Sequence, residues 1–143
     1  MAAIRAKNTK PELIIRRALH AQGLRYRLHD KKLPGKPDLV FPKYKAVVFV
    51  HGCFWHAHDC PLFHWPKSKT EFWREKITSN KERDDRLMDE LQILNWRRAV
   101  VWECALKGRG KRELSEIIDS LTLWLSSDAE TLCIEGLWSD RTA

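Results

Sequence analysis

The chain has 143 residues, 43% of them hydrophobic, with 26 Lys and Arg against 19 Asp and Glu and a net charge of +7 at pH 7. That length fits one domain, 1–143, whose core needs no disulfide staples. The apolar runs fall short of the about 18 residues that a membrane span needs, and the N-terminus has no secretory h-region, so a cytosolic protein without a membrane partner is expected.

The excess of positive charge points to a polyanionic partner such as nucleic acid, which is a statement about partners and not about fold. In a reducing compartment Cys53, Cys60, Cys104 and Cys133 are metal ligands or free thiols rather than disulfides. Seven tryptophans, several in polar surroundings, exceed what a small core needs.

Thr9-Lys10-Pro11-Glu12 supplies an N-cap hydroxyl, an early proline and a Glu three residues after the cap, and Gly23 supplies a stop. A helix over about 10–22 follows, with Leu13, Ile14, Ile15, Ala18 and Leu19 as its apolar stripe. Residues 24–28 alternate as a half-buried strand should. A basic turn, Lys31 to Pro37, leads into a short strand at 38–41 that Pro42 ends. A hairpin around Tyr44 then brings in Ala46 to Val50, apolar throughout and so central in its sheet.

A long helix from about Thr70 to Leu94 turns Trp73, Ile77, Leu87, Leu91 and Leu94 inward. Its charges, Lys81 to Asp89, read as a solvated face. Trp96 to Glu103 is another central strand, Lys111 to Leu125 an amphipathic helix, and about 127–143 a less ordered tail. The order predicts a three-layer α/β domain with a mixed central sheet flanked by helices.

The chemistry concentrates in His51-Gly52-Cys53-Phe54-Trp55-His56-Ala57-His58-Asp59-Cys60, directly behind the apolar strand 46–50. A strand that ends in such residues delivers a site to its C-terminal end, where open α/β sheets bind ligands. Cys53-x4-His58-x-Cys60, with Cys104 at the end of the 96–103 strand, would close a tetrahedral Cys3His site of the structural zinc type. Packing of the cysteines as small apolar groups is the plainer alternative, and His56 and His64 compete as the nitrogen ligand.

Pro37-Asp38 followed by a hairpin resembles the PD-(D/E)xK nucleases, although Val48-Phe49-Val50 stands where their acidic residue and lysine would be. The Val50 carbonyl can supply a divalent cation with an oxygen ligand, and His51 can replace the missing polar groups.

Four successive motifs resemble the very-short-patch mismatch repair (Vsr) endonucleases. They are Pro34-Gly35-Lys36-Pro37-Asp38, His51-Gly52-Cys53-Phe54-Trp55-His56, Thr70-Glu71-Phe72-Trp73-x-Glu75-Lys76-Ile77 and Val101-Trp102-Glu103-Cys104-Ala105-Leu106. The resemblance runs from residue 1 to about 125 and implies a restriction-endonuclease-like fold. It implies an enzyme that nicks DNA 5′ of the thymine in T:G mismatches left by deamination of 5-methylcytosine. It further implies a monomer in the bacterial cytoplasm, active at the nucleoid, with mismatch-repair proteins as candidate partners.

Carried onto these positions, the resemblance makes Asp38 the central ligand of two catalytic Mg²⁺ ions, with the Val50 carbonyl and phosphate oxygens completing their shells. Glu12 and His51 would hold metal-bound water, and His56 would activate the attacking water. Cys53, His58, Cys60 and Cys104 would hold one structural Zn²⁺. Phe54, Trp55 and Trp73 would intercalate beside the mismatch, and Met1 to Ile4 would grip the duplex from the opposite groove. The longer basic arm that commonly precedes this segment in the family does not stand in this sequence.

The blander roles are a capping box for Glu12, a core imidazole for His51 and mutual core packing for Trp55 and Trp73. Two other functions stay open at this level: a related nuclease without mismatch preference, and a zinc-stabilised module that binds distorted DNA without cutting. Lys7, Lys10, Arg16, Arg17, Lys32, Lys36, Lys67 and Lys69 are the candidate phosphate contacts.

Overall fold

The first helix, α1, spans Lys10–Ala21. It starts where the sequence signals it should, with the Thr9 side chain accepting from the Glu12 backbone N–H at 3.4 Å. The Glu12 carboxylate turns to Arg16 and His29. A computed structural model describes residues 9–137, so the Met1 to Ile4 segment and Lys7 lie outside the described residues.

Among the described residues, five strands follow in sheet order β1-β2-β3-β4-β5. β1 (Arg27–Leu28) is shorter than the alternation over 24–28 predicts, and both its residues are exposed. It pairs antiparallel with β2 (Leu39–Phe41), Arg27 lying opposite Val40 and Leu28 opposite Leu39. β2 and β3 (Ala46–His51) form the expected hairpin, joined by a single 3-10 turn over Pro42–Tyr44 and by Lys45 in a left-handed conformation. β3 then pairs parallel with β4 (Arg97–Trp102) over its full length, which makes it the central strand.

The residues after 126 contribute β5 (Thr131–Ile134), parallel to β4, where the sequence suggested a less ordered tail. Its short pattern is weak by itself. Hydrogen bonds just beyond it hold it: the Arg112 side chain donates Nε–H to the Glu135 carbonyl and the Leu137 backbone N–H donates to the Gly110 carbonyl, at 2.6 and 2.7 Å.

The strand alternation divides two apolar layers, because successive side chains point to opposite faces. Leu39, Phe41, Ala46, Val48, Ala99 and Val101 pack against α1 through Ile15 and Leu19, and against α3 (Leu114–Leu125) through Ile117, Leu121 and Trp124. Val40, Val47 and Phe49 pack on the other face against Leu91 and Met88 of α2 (Thr70–Ile93). Each fully buried Leu, Ile or Phe contributes about 1.5–3 kcal/mol relative to exposure. The layers are therefore helix, mixed sheet, helix. Ile77 and Leu91 form the inner face of α2 as expected, whereas Leu94 is exposed.

Arg97 joins both ends of the first layer. Its guanidinium donates to the carbonyls of Tyr44, Trp124, Leu125 and Ala129, which ties the β2–β3 turn to the C-terminus of α3. Among the described residues no helix is long and apolar enough to cross a membrane.

Candidate functional site

β2 begins at Leu39, opposite Val48, so Val50 has no partner on that strand. The backbone N–H of Val50 donates instead to Asp38 Oδ2 at 2.7 Å, which places the carboxylate at the C-terminal end of the central strand. Burial pushes the Asp38 carboxyl up to about 7. The Val50 hydrogen bond opposes this shift, and the charge of Glu12 and a hydrogen bond with it add to it.

Glu12 is itself buried, 1% exposed, although it lies in the first turn of α1. Its Oε2 lies 3.1 Å from Arg16 Nη1 and 2.7 Å from His29 Nε2. Ligand atoms of Glu12, His29 and Asp38 fall within 4.8 Å of one another. Two carboxylates crowded out of water are costly unless a cation neutralises them, so this donor set suits a hard divalent ion.

One residue past Val50, the His51 ring is buried, and its Nδ1 has no hydrogen-bond partner among the described residues. A buried orphan of this kind is a place for a water molecule. Burial, then the neighbouring His56, drives His51 down to about 3, with Asp84 acting in the opposite direction. The ring is neutral at physiological pH.

His51 stacks on His56, whose Nδ1 is hydrogen-bonded to Asp84 Oδ2. His51, His56 and Asp84 form a second titratable cluster adjoining the first through the Val50-His51 backbone.

Asp84 escapes the sequence analysis because it sits in the charged run of α2. Helical spacing carries the missing signal. Residues 73, 77, 80, 84 and 91 share one face, with Ile77 and Leu91 buried and Asn80 donating to the Trp55 carbonyl at 3.1 Å. The other charges of that run, Lys81, Glu82, Arg83, Asp85, Arg86 and Asp89, are exposed as expected.

The thiol cluster forms as the spacing suggests. Cys53, His58, Cys60 and Cys104 bring one ligand atom each within 4.8 Å of the others. His58 Nδ1 lies 3.6 Å from both Cys53 Sγ and Cys104 Sγ. Burial raises the Cys53 thiol well above its usual range and raises the Cys104 thiol as well. Such thiols ionise only with a compensating cation, and three sulfurs around one imidazole nitrogen match the donor set of a tetrahedral metal site.

Of the two competing imidazoles, His56 belongs to the Asp84 cluster and His64 is exposed. The residues after β5 complete the cluster: Glu135 Oε1 lies 2.9 Å from His58 Nε2, and the Gly136 N–H donates to Cys104 Sγ at 3.2 Å. A Cβ at Gly136 would stand 2.4 Å from the Cys104 carbonyl oxygen, so only glycine permits this approach. Cys133 is exposed on β5, apart from the cluster.

Phe54, Trp55 and Trp73 form a mutually packed triad, with ring centroids 5.2–5.7 Å apart. Each ring is half-buried, neither fully core nor free. Phe72 beside them is 58% exposed. Of the basic candidates, Arg16 is turned to Glu12, while Lys10, Arg17, Lys32, Lys36, Lys67 and Lys69 are exposed.

Comparison with known proteins agrees with this geometry. Residues 1–62 match the family model described as DNA mismatch endonuclease Vsr. The DNA mismatch endonuclease Vsr of Escherichia coli is 44% identical over 135 residues, 94% of this chain and 86% of that one. The type II nicking enzyme V.NmeAIP of Neisseria meningitidis is 53% identical over 109 residues, 76% of this chain and 78% of its own. The type II nicking enzyme V.XorIIP of Xanthomonas oryzae pv. oryzae is 49% identical over 121 residues, 83% and 89% of the two chains. A module that binds without cutting is thereby set aside: the chain belongs to the Vsr mismatch endonuclease family and is a DNA endonuclease.

Proposed function

We propose that this endonuclease nicks duplex DNA on the 5′ side of the thymine in a T:G mismatch, using Mg²⁺, with residues 1–143 acting as one restriction-endonuclease-like unit. The observation that carries the reading is the adjacency of two clusters at one strand end. Asp38 is hydrogen-bonded to the Val50 N–H, and His51, the next residue, stacks on a His56 held by Asp84.

Asp38 and the Val50 carbonyl would hold the catalytic Mg²⁺, with Glu12 and His51 hydrogen-bonding the surrounding water. When bound, the ions supply Lewis acidity at the scissile phosphate and charge stabilisation at the leaving oxygen. The chain's own residues do the rest. Asp84 accepts from His56 Nδ1–H, which leaves Nε2 as the proton acceptor for the attacking water. The neutral His51 ring puts no opposing charge against the imidazolium that results.

Cys53, His58, Cys60 and Cys104 would hold one Zn²⁺ in a structural role, since four protein ligands leave no open position for chemistry. That tether fixes the loop carrying Phe54 and Trp55 against Trp73. Rings so held can enter a base step, at a cost that is smaller where the pair is already mismatched. Residues 1–4 would complete the grip on the duplex.

Replacing Asp38 by Ala tests the catalytic assignment. Nicking of a T:G duplex should fall below detection while mismatch binding is kept, and a variant that still nicks would remove Asp38 from the centre of the site.

A further inference from the structure

His29 occupies a place that no sequence motif marks. Its side chain reaches the Glu12 carboxylate, and its backbone reaches the main chain of Asp38. The imidazole Nε2 lies 2.7 Å from Glu12 Oε2, and the backbone N–H donates to the Asp38 carbonyl at 3.2 Å. Glu12 comes from the first turn of α1 and Asp38 from the residue before β2, and His29 follows β1 directly. One residue therefore spans three elements.

The backbone of His29 is left-handed, with φ of 48°. A non-glycine residue adopts that conformation at a cost and keeps it only where its surroundings fix it, a condition met most often at functional sites. Here the kink ends β1 and turns the ring towards α1 instead of continuing the alternation of an exposed edge strand.

Neutralisation of Glu12 alone does not call for His29. Arg16, one turn along α1, already places Nη1 3.1 Å from the same oxygen. What His29 adds is a restraint from the sheet. Arg16 moves with α1, whereas His29 is bonded to the backbone of Asp38 and so ties the Glu12 carboxylate to the segment that carries Asp38. Ligand atoms of all three residues lie within 4.8 Å of one another.

We infer that His29 is a positioning residue of the catalytic centre, setting the orientation of Glu12 relative to Asp38 so that both face one divalent cation. The inference rests on the assignment of Asp38 and Glu12 to that ion. Partners that orient ligands in this way typically change metal affinity or activity about 10–100-fold when removed, and loss of near-attack geometry has effects of similar size.

The test compares His29→Ala, His29→Gln and Asp38→Asn with the wild-type chain. It reads the single-turnover nicking rate on a T:G duplex, the Mg²⁺ concentration at half-maximal rate, and the rise in thermal midpoint that Mg²⁺ alone produces in DNA-free protein. His29→Ala should nick about 10–100-fold more slowly, need several-fold more Mg²⁺ and lose most of the Mg²⁺-induced rise, with duplex binding in EDTA unchanged. His29→Gln keeps an N–H within reach of Glu12 and should recover most of each quantity.

Wild-type behaviour of His29→Ala, with Asp38→Asn inactive, overturns the inference and leaves the reading of the site standing. Equal losses in both His29 variants that follow their thermal midpoints without Mg²⁺ overturn it in favour of a purely structural role. Nicking by Asp38→Asn removes the reading of the site and the inference with it.

Discussion

The imidazole rings of His51 and His56 lie face to face, with centroids 3.8 Å apart and planes within 5° of parallel. The two rings differ in surroundings. His51 is buried, is held neutral and edges against Trp102, whereas His56 is partly exposed and bonded to Asp84. One ring is thus kept uncharged while its neighbour is oriented by a carboxylate.

Asp84 is bonded to His56 in this arrangement, so under the proposed mechanism Asp84→Asn should impair the proton acceptor without touching DNA binding. General-base contributions of about 10²–10⁴-fold set the scale. A loss of at least about 10²-fold in single-turnover nicking is expected, with the duplex dissociation constant unchanged. Weakened binding with an unaltered chemical rate would move Asp84 from the chemistry to the interface.

With the proposed Zn²⁺ held by the thiol cluster, Cys60→Ser should lower metal content and destabilise the fold together, because binding energy at such a site is folding energy. A loss of about 3 kcal/mol or more would lower the thermal midpoint of a domain of this size by roughly 10 °C. Metal content by elemental analysis and a thermal melt check this jointly. A variant that is metal-free yet melts with the wild type would contradict the structural role.

Glu135 and Gly136 act on the same cluster from beyond β5. Glu135→Gln removes a charged partner of His58 and should weaken metal retention against a chelator about 10–100-fold. Gly136→Ala forces a Cβ against the Cys104 carbonyl and should cost about 1–3 kcal/mol. Chelator competition and denaturant melts separate the two effects.

Trp55→Ala and Trp73→Ala address the aromatic triad. Stacking is worth about 1–3 kcal/mol per base, or roughly 5–150-fold in affinity. The loss should appear in the ratio of T:G to T:A binding. Equal weakening on both duplexes would assign these rings to packing instead of mismatch sensing.

Much of this architecture is legible in the sequence because it is written locally. The apolar run 46–50 announces a central strand, the Thr9-Pro11-Glu12 signal starts α1, and three of the thiol-cluster residues lie within eight positions. What is hidden is written at long range. Glu135 meets His58 across 77 residues with no local pattern to mark it, and Asp84 meets His56 across 28, with only its place on the inner face of α2 to set it apart from the charges around it. β5 is misread for a related reason: it is fixed by its pairing with β4 and by ties such as Arg112 to Glu135, not by its own pattern.

The most direct test is strand-resolved nicking of a labelled duplex carrying one T:G mismatch, beside its T:A counterpart, in Mg²⁺ and in EDTA. The account predicts a single nick immediately 5′ of the mismatched thymine, dependent on Mg²⁺ and absent from the T:A duplex. Equal cutting of both duplexes, or cutting that persists in EDTA, would contradict it.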